Sequence, residues 1–158
     1  MIEVIFLLSF TLHNIEEGIW LPRWSKHAGK FHPKVSNNEF HFALLVVTIL
    51  GYLLTFLFLK FGMRVEVIKY IYLSFILMMC LNSIFPHLLA TILLKRYSPG
   101  TLTGLLLNMP IGVSIILENV NQGLNFYKFI SIALLVIVLT ISSLQLLFKI
   151  GNKLIDEY

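Results

Sequence analysis

At 158 residues, 58% of them hydrophobic and 13% charged, with a mean hydropathy of +0.86, the chain is too apolar for a soluble domain of this length. Its formal charge of +4 comes from lysines and arginines at the ends of apolar runs, which argues against a nucleic-acid-binding surface. The single cysteine, Cys80, lies within an apolar run, so neither a disulfide framework nor a thiolate metal site is expected.

The expected fold is all-α: one integral membrane helix bundle with about five transmembrane helices and no separate soluble module. The first apolar run covers residues 2–21 and is closed by Pro22 and Arg23. A secretory signal peptide would need a basic start and an uninterrupted apolar core, whereas this run opens with Glu3 and carries the polar stretch LHNIEEGIW, so it reads as a span. The basic segment 23–38 contains Gly29 and Pro33 and reads as a loop. Runs at 41–59 and 65–95 follow, separated by a turn at Gly62. Tyr97-Ser98-Pro99-Gly100 forms a further turn, with Pro99 suited to the start of a helix. The fourth run, 99–117, contains Pro110 and is expected to kink there, and the fifth covers 126–148.

Five spans place Arg23, Lys26, Lys30, Lys34, Lys95, Arg96, Lys149 and Lys153 on one side, and Lys60, Arg64, Lys69 and Lys128 on the other. Eight cations against four make the first side cytoplasmic, with the amino terminus outside and the carboxyl terminus in the cytoplasm. At about 1.5 Å of rise per residue, Glu16 and Glu17 lie roughly 9–10 Å in from Arg23, and His13 about 15 Å. On the same scale His87 lies roughly 12 Å in from Lys95, Asn108 about 13 Å from Pro99, and His41 about 6 Å from Asn37. Four helices thus put their main polar residues in one layer.

His13 and Glu17 are four residues apart and His13 and Glu16 three apart, so the three project from one face within a single turn. An unpaired ionisable group near mid-bilayer costs about 2.5–3.5 kcal/mol on insertion scales. Interhelical hydrogen bonding or protonated glutamates account for an isolated polar residue. Convergence of His13, Glu16, Glu17 and His87 points instead to a divalent cation, with His87, His41 or both completing the shell. By contrast, His27 and His32 are expected to face solvent or headgroups, Glu39 to favour a helix start, and Glu118 to mark a membrane boundary. Trp20 and Trp24 are expected in an interfacial belt.

The stretch His13-Asn14-Ile15-Glu16-Glu17 matches the HXXEE motif, and Tyr97-Ser98-Pro99-Gly100 matches a second motif, YXPG. In these and in nearly its whole length the chain resembles the HXXEE family of small, mostly bacterial membrane proteins, a resemblance that implies integral membrane location, here the bacterial cytoplasmic membrane, and brings no activity with it. The family's third motif, NXXXH, has its nearest counterpart in Asn82-Ser83-Ile84-Phe85-Pro86-His87, one residue longer. In a regular α-helix the extra residue turns Asn82 off the histidine face.

An analogy with the H-x-x-E-H arrangement of inverzincin peptidases makes His13 and Glu17 ligands, His87 or His41 a third ligand, and Glu16 the general base that activates water. Asn82, Asn108 and Tyr97 would give polar support. One reversed motif does not supply the four carboxylates and two histidines of a ferritin-like dinuclear centre, so zinc is favoured over iron or manganese. The expected function is a metal-dependent hydrolase acting on a lipid or lipid-linked substrate at the cytoplasmic side. The alternatives are a small transporter or binding protein using its carboxylates for a cation, proton or amine, and a structural helper acting through partner subunits. An odd number of spans without inverted halves weakens a monomeric transporter, and a homodimer would reopen that reading.

Overall fold

The computed structural model describes residues 1–155, which are helical throughout apart from short connections, without a strand. Helix α1 covers Ile2–Ser25, α2 Asn37–Phe61 and α3 Glu66–Asn82. A kinked π-helical segment, Ser83–Leu88, leads into α4, Leu89–Leu94. After the Tyr97 to Gly100 turn come the single turn α5, Thr101–Thr103, a second π-helical segment, Gly104–Asn108, and α6, Met109–Asn121. The chain closes with α7, Phe126–Ile155. Counting each broken helix once, five helices are long and apolar enough to cross a membrane.

Burial ranks these helices. In the most apolar window of α1, 39% of residues are buried, against 6% for α7. The polar first helix is therefore central and α7 peripheral, resting on α2 and α3. Phe6 and Phe10 of α1 pack with Tyr72, Phe75 and Ile76 of α3 and Ile115 of α6, and the Phe10 and Phe75 rings meet edge to face at 5.2 Å. A second cluster joins Leu21 and Trp24 to Val35, Phe40 and Ala90 at the end of the bundle that carries the 26–36 loop. Trp24 is only 6% exposed, so it belongs to this packing and not to an interfacial belt, whereas Trp20 is 52% exposed.

Three prolines interrupt the helices, each with a different local solution. Pro22 does not end α1 at residue 21 as expected, and the helix continues to Ser25. Proline cannot donate to the carbonyl four residues back, which is that of Gly18, and His41 Nε2 donates to it instead at 2.8 Å. Pro86 breaks the third run, expected to be continuous: Phe85 is extended (φ −125°, ψ 120°) within the Ser83–Leu88 segment. Pro110 falls in the first turn of α6, where a missing N–H is least harmful, and the expected irregularity lies just ahead of it in the π turn Gly104–Asn108. The two π segments pack together so closely that a Cβ on Gly104 would stand 2.6 Å from Ser83 Oγ. π turns are uncommon and recur at functional sites.

The basic loop ends in a capping box. Ser36 Oγ accepts from Glu39 N–H at 3.2 Å, and Glu39 Oε2 accepts from Ser36 N–H at 2.6 Å, so Glu39 serves the start of α2 as its position suggested.

Candidate metal centre

His13, Glu17 and His87 each place one potential ligand atom within 4.8 Å of the others. Glu17 Oε1 lies 2.8 Å from His87 Nε2 and 3.6 Å from His13 Nε2. His13 is fully buried, His87 is 2% exposed, and the Glu17 side chain is 12% exposed. Neighbouring ligands around a tetrahedral cation with bonds of about 2.0–2.1 Å are separated by roughly 3.4 Å, and these contacts bracket that value.

The rings are aimed from behind. His13 Nδ1 is 3.1 Å from Thr103 Oγ1, and the Thr103 hydroxyl gives its own proton to Glu16 Oε2 at 2.6 Å. Thr103 therefore accepts from His13 Nδ1–H, which leaves the Nε2 lone pair of His13 directed at the cluster. His87 Nδ1 faces Ser98 Oγ at 3.4 Å, again leaving Nε2 inward. Holding the far nitrogen of each imidazole in this way fixes the tautomer and orientation of a metal-ligating histidine.

Asn82 joins the group despite the longer spacing. Its Nδ2 lies 3.0 Å from His87 Nε2 and 3.5 Å from His13 Nε2. The kinked π segment between Asn82 and His87 absorbs the extra residue, so two positions five apart share one face. His87 Nε2 thus faces both the Glu17 carboxylate and the Asn82 amide. With its amide turned to offer oxygen, Asn82 can accept from an Nε2–H of His87 or stand as a further oxygen donor beside the cluster.

Glu16, one residue from Glu17 and rotated by about 100° on the helix, points elsewhere. It accepts from Tyr97 Oη–H, from the backbone N–H of Gly100 at 2.8 Å, and from the Thr103 N–H and hydroxyl at 3.3 and 2.6 Å. Both carboxylate oxygens are engaged, so Glu16 is an anchor for the Tyr97 to Thr103 segment and is badly placed to act as a general base. Tyr97 accepts in turn from Leu102 N–H at 3.1 Å. Partial burial, reinforced by the Glu16 carboxylate, pushes the Tyr97 phenol up to about 12.

Gly100 closes the cluster. Its φ of +89° is left-handed, and a Cβ there would stand 2.8 Å from His13 Cε1, 3.1 Å from His87 Cε1 and 3.2 Å from Glu17 Oε1. The glycine of one motif thus lies directly over the ligand atoms of the other.

His41 and Asn108 are not among these ligand atoms. His41 is held by the Gly18 carbonyl, on the side of α1 that faces α2. Asn108 Oδ1 accepts from Ser9 Oγ at 2.5 Å, while its Nδ2 is buried without a partner among the described residues. Ser98 and Gly100 were visible in the turn motif without a role, and Thr103 had no signal in the sequence. His32 was expected to face solvent. Instead it is partly buried against Phe40 and Phe148, with ring centroids 6.3 and 6.4 Å away. Its Nδ1 donates to the Pro33 carbonyl at 2.6 Å, and the ring lies within electrostatic reach of the Glu17 carboxylate. Burial holds its imidazole below the ordinary 6.5.

Residues 4–115 match the family model described as a protein of unknown function with HXXEE motif. The chain is 45% identical over 149 residues to the uncharacterized protein YrkK of Bacillus subtilis (strain 168), with 94% of each chain covered. No solved structure matches.

Proposed function

We propose that this chain, which belongs to the family of proteins of unknown function with the HXXEE motif, is a metal-dependent membrane hydrolase acting on a lipid or lipid-linked substrate. His13 Nε2, His87 Nε2 and Glu17 hold one divalent cation, with Asn82 beside them. The observation that carries the reading is the convergence within 4.8 Å of ligand atoms from two buried histidines and the half-buried Glu17, with the far nitrogens of both imidazoles facing hydroxyl groups. Two imidazoles and one carboxylate with an open position form a catalytic zinc set. The same donors serve non-haem iron, so metal identity is an outcome of the test.

A bound cation would supply Lewis acidity toward a carbonyl or phosphoryl oxygen and acidify water. Glu16 is tied to the turn, so proton transfer falls to Glu17, whose second oxygen accepts no hydrogen bond from any described residue. The Tyr97 to Thr103 segment orients His13 and His87 and covers the cluster. The membrane setting argues for a substrate arriving laterally from the bilayer, and the distribution of lysine and arginine favours a site toward the cytoplasm.

Elemental analysis of protein purified in mild detergent without chelators tests this. The expected result is one zinc per chain, lost in His13→Ala, His87→Ala and Glu17→Ala variants that keep their helical circular dichroism. Only traces of any transition metal in the parent protein would overturn it. With metal present, lipid ester, amide and phosphodiester substrates test the reaction class, and absence of turnover across them would favour the cation-binding or transport reading.

A further inference from the structure

A cavity of about 1480 Å³ lies away from the His13, Glu17 and His87 cluster, on the other side of α1, between α1 and α2. Arg23, Lys26 and Lys34 stand at one end of it, and no aspartate or glutamate lines it. All three cations are exposed, and none forms an ion pair among the described residues. Away from that end Ile15, Ile19 and Leu45, each more than half exposed, form an apolar strip along the groove beside the polar Thr11, Asn14 and Thr48. Asn14, an HXXEE-motif residue outside the metal cluster, also lines it, with Nδ2 donating to Thr48 Oγ1 at 2.8 Å.

A groove with a cationic mouth at the end of a membrane span and an apolar strip along the span matches one occupant in both charge and polarity. From this we infer that the groove binds an anionic phospholipid of the surrounding bilayer. The phosphate sits among Arg23, Lys26 and Lys34, and an acyl chain runs along Ile15, Ile19 and Leu45. The loop that carries Lys26 and Lys34 also carries His32, so the bound headgroup would steady the segment beside the metal cluster. A zwitterionic lipid offers the same chains with a compensating ammonium, which three unpaired cations disfavour. None of the three metal-cluster residues lines the groove, so this site is separate from the proposed chemistry and does not depend on it.

Delipidated protein in neutral detergent, titrated with phosphatidylglycerol or phosphatidylcholine and read by native mass spectrometry, tests the inference. Phosphatidylglycerol should bind in preference, and the triple variant Arg23→Gln/Lys26→Gln/Lys34→Gln should bind it roughly 100-fold more weakly, from a factor of about five per cation. Lys95→Gln/Arg96→Gln removes charge outside the groove and should leave binding intact. The inference is overturned by equal affinity for both lipids, by equal weakening in the two variants, or by inorganic phosphate competing as well as the lipid. Metal content should be unchanged in the triple variant.

Discussion

Replacing Gly100 by alanine adds one methyl group at the point where the two motifs touch. The left-handed backbone at φ +89° costs a residue with a Cβ about 1–2 kcal/mol. The methyl would also stand 2.8 Å from His13 Cε1 and 3.1 Å from His87 Cε1, so either the rings turn or the loop retreats. Turning a ring by about 30° costs roughly 0.5–1.5 kcal/mol, and retreat breaks the Gly100 N–H bond to Glu16 at 2.8 Å. Backbone strain and ring turning together predict a loss of about 1.5–3.5 kcal/mol in stability.

Metal affinity should fall by about 10–100-fold, the usual effect of disturbing the groups that orient metal ligands. Gly123→Ala is the control: φ there is +87°, yet nothing lies within 4 Å of the added Cβ. It carries the backbone strain without the collision. Competitive chelator titration of the two variants therefore separates strain from steric disturbance. Equal metal affinity in Gly100→Ala, Gly123→Ala and the parent would refute the placement of Gly100 over the cluster.

The adjacent glutamates should part in their effects. Glu17→Gln should abolish metal binding with a small change in thermal stability, whereas Glu16→Gln should cost about 3 kcal/mol by setting an amide against charge-assisted donors, and reversal of that order would refute the assignment. His41→Ala should destabilise by about 1 kcal/mol through the unpaired Gly18 carbonyl, and much less in a Pro22→Ala background where the helix makes its own bond; an additive double-mutant cycle would exclude the coupling. His32 should titrate below 6.5 in the metal-free protein. The unfolded chain then binds the proton more readily, so its contribution to the 26–36 loop is full above pH about 6.5 and fades as pH falls through the folded value. Proteolysis of that loop should accelerate on acidification in the parent but not in His32→Gln, and pH-independent cleavage of the parent would refute this.

The sequence showed the helices more clearly than their irregularities. Apolar runs located all five membrane-length helices because length and hydropathy are local properties. The break at Phe85 was missed because the run 65–95 is long and apolar enough to read as one continuous span, although Pro86 lies in it between Ser83 and His87. Its consequence for Asn82 was missed with it, since α-helical geometry separates positions five apart. The i,i+4 spacing of His13 and Glu17 carried directly into the cluster because α1 is regular there. Depth alone admitted His41 as a ligand, since rise along a helix carries no information about rotation toward a neighbour. Glu16 could not be told from Glu17 by composition: the donors that claim it belong to a turn more than 80 residues away.

That separation gives a reason for two consecutive glutamates in a membrane helix. Successive residues on an α-helix diverge by about 100°, and here the two side chains leave the helix toward different partners, each with its own compensation. Glu17 meets two imidazoles, and Glu16 meets the amides and hydroxyls of the Tyr97 to Thr103 segment. Thr103 links the two, since its hydroxyl donates to Glu16 while accepting from His13. The turn is thereby held by one carboxylate and, through Thr103, Ser98 and Gly100, sets the geometry of the other. Loss of the Glu16 anchor should reach the metal through His13 orientation, whereas loss of the metal leaves the four hydrogen bonds to Glu16 in place. On the proposed reading, this asymmetry makes the turn part of the protein's framework and the cation a ligand whose site that framework shapes.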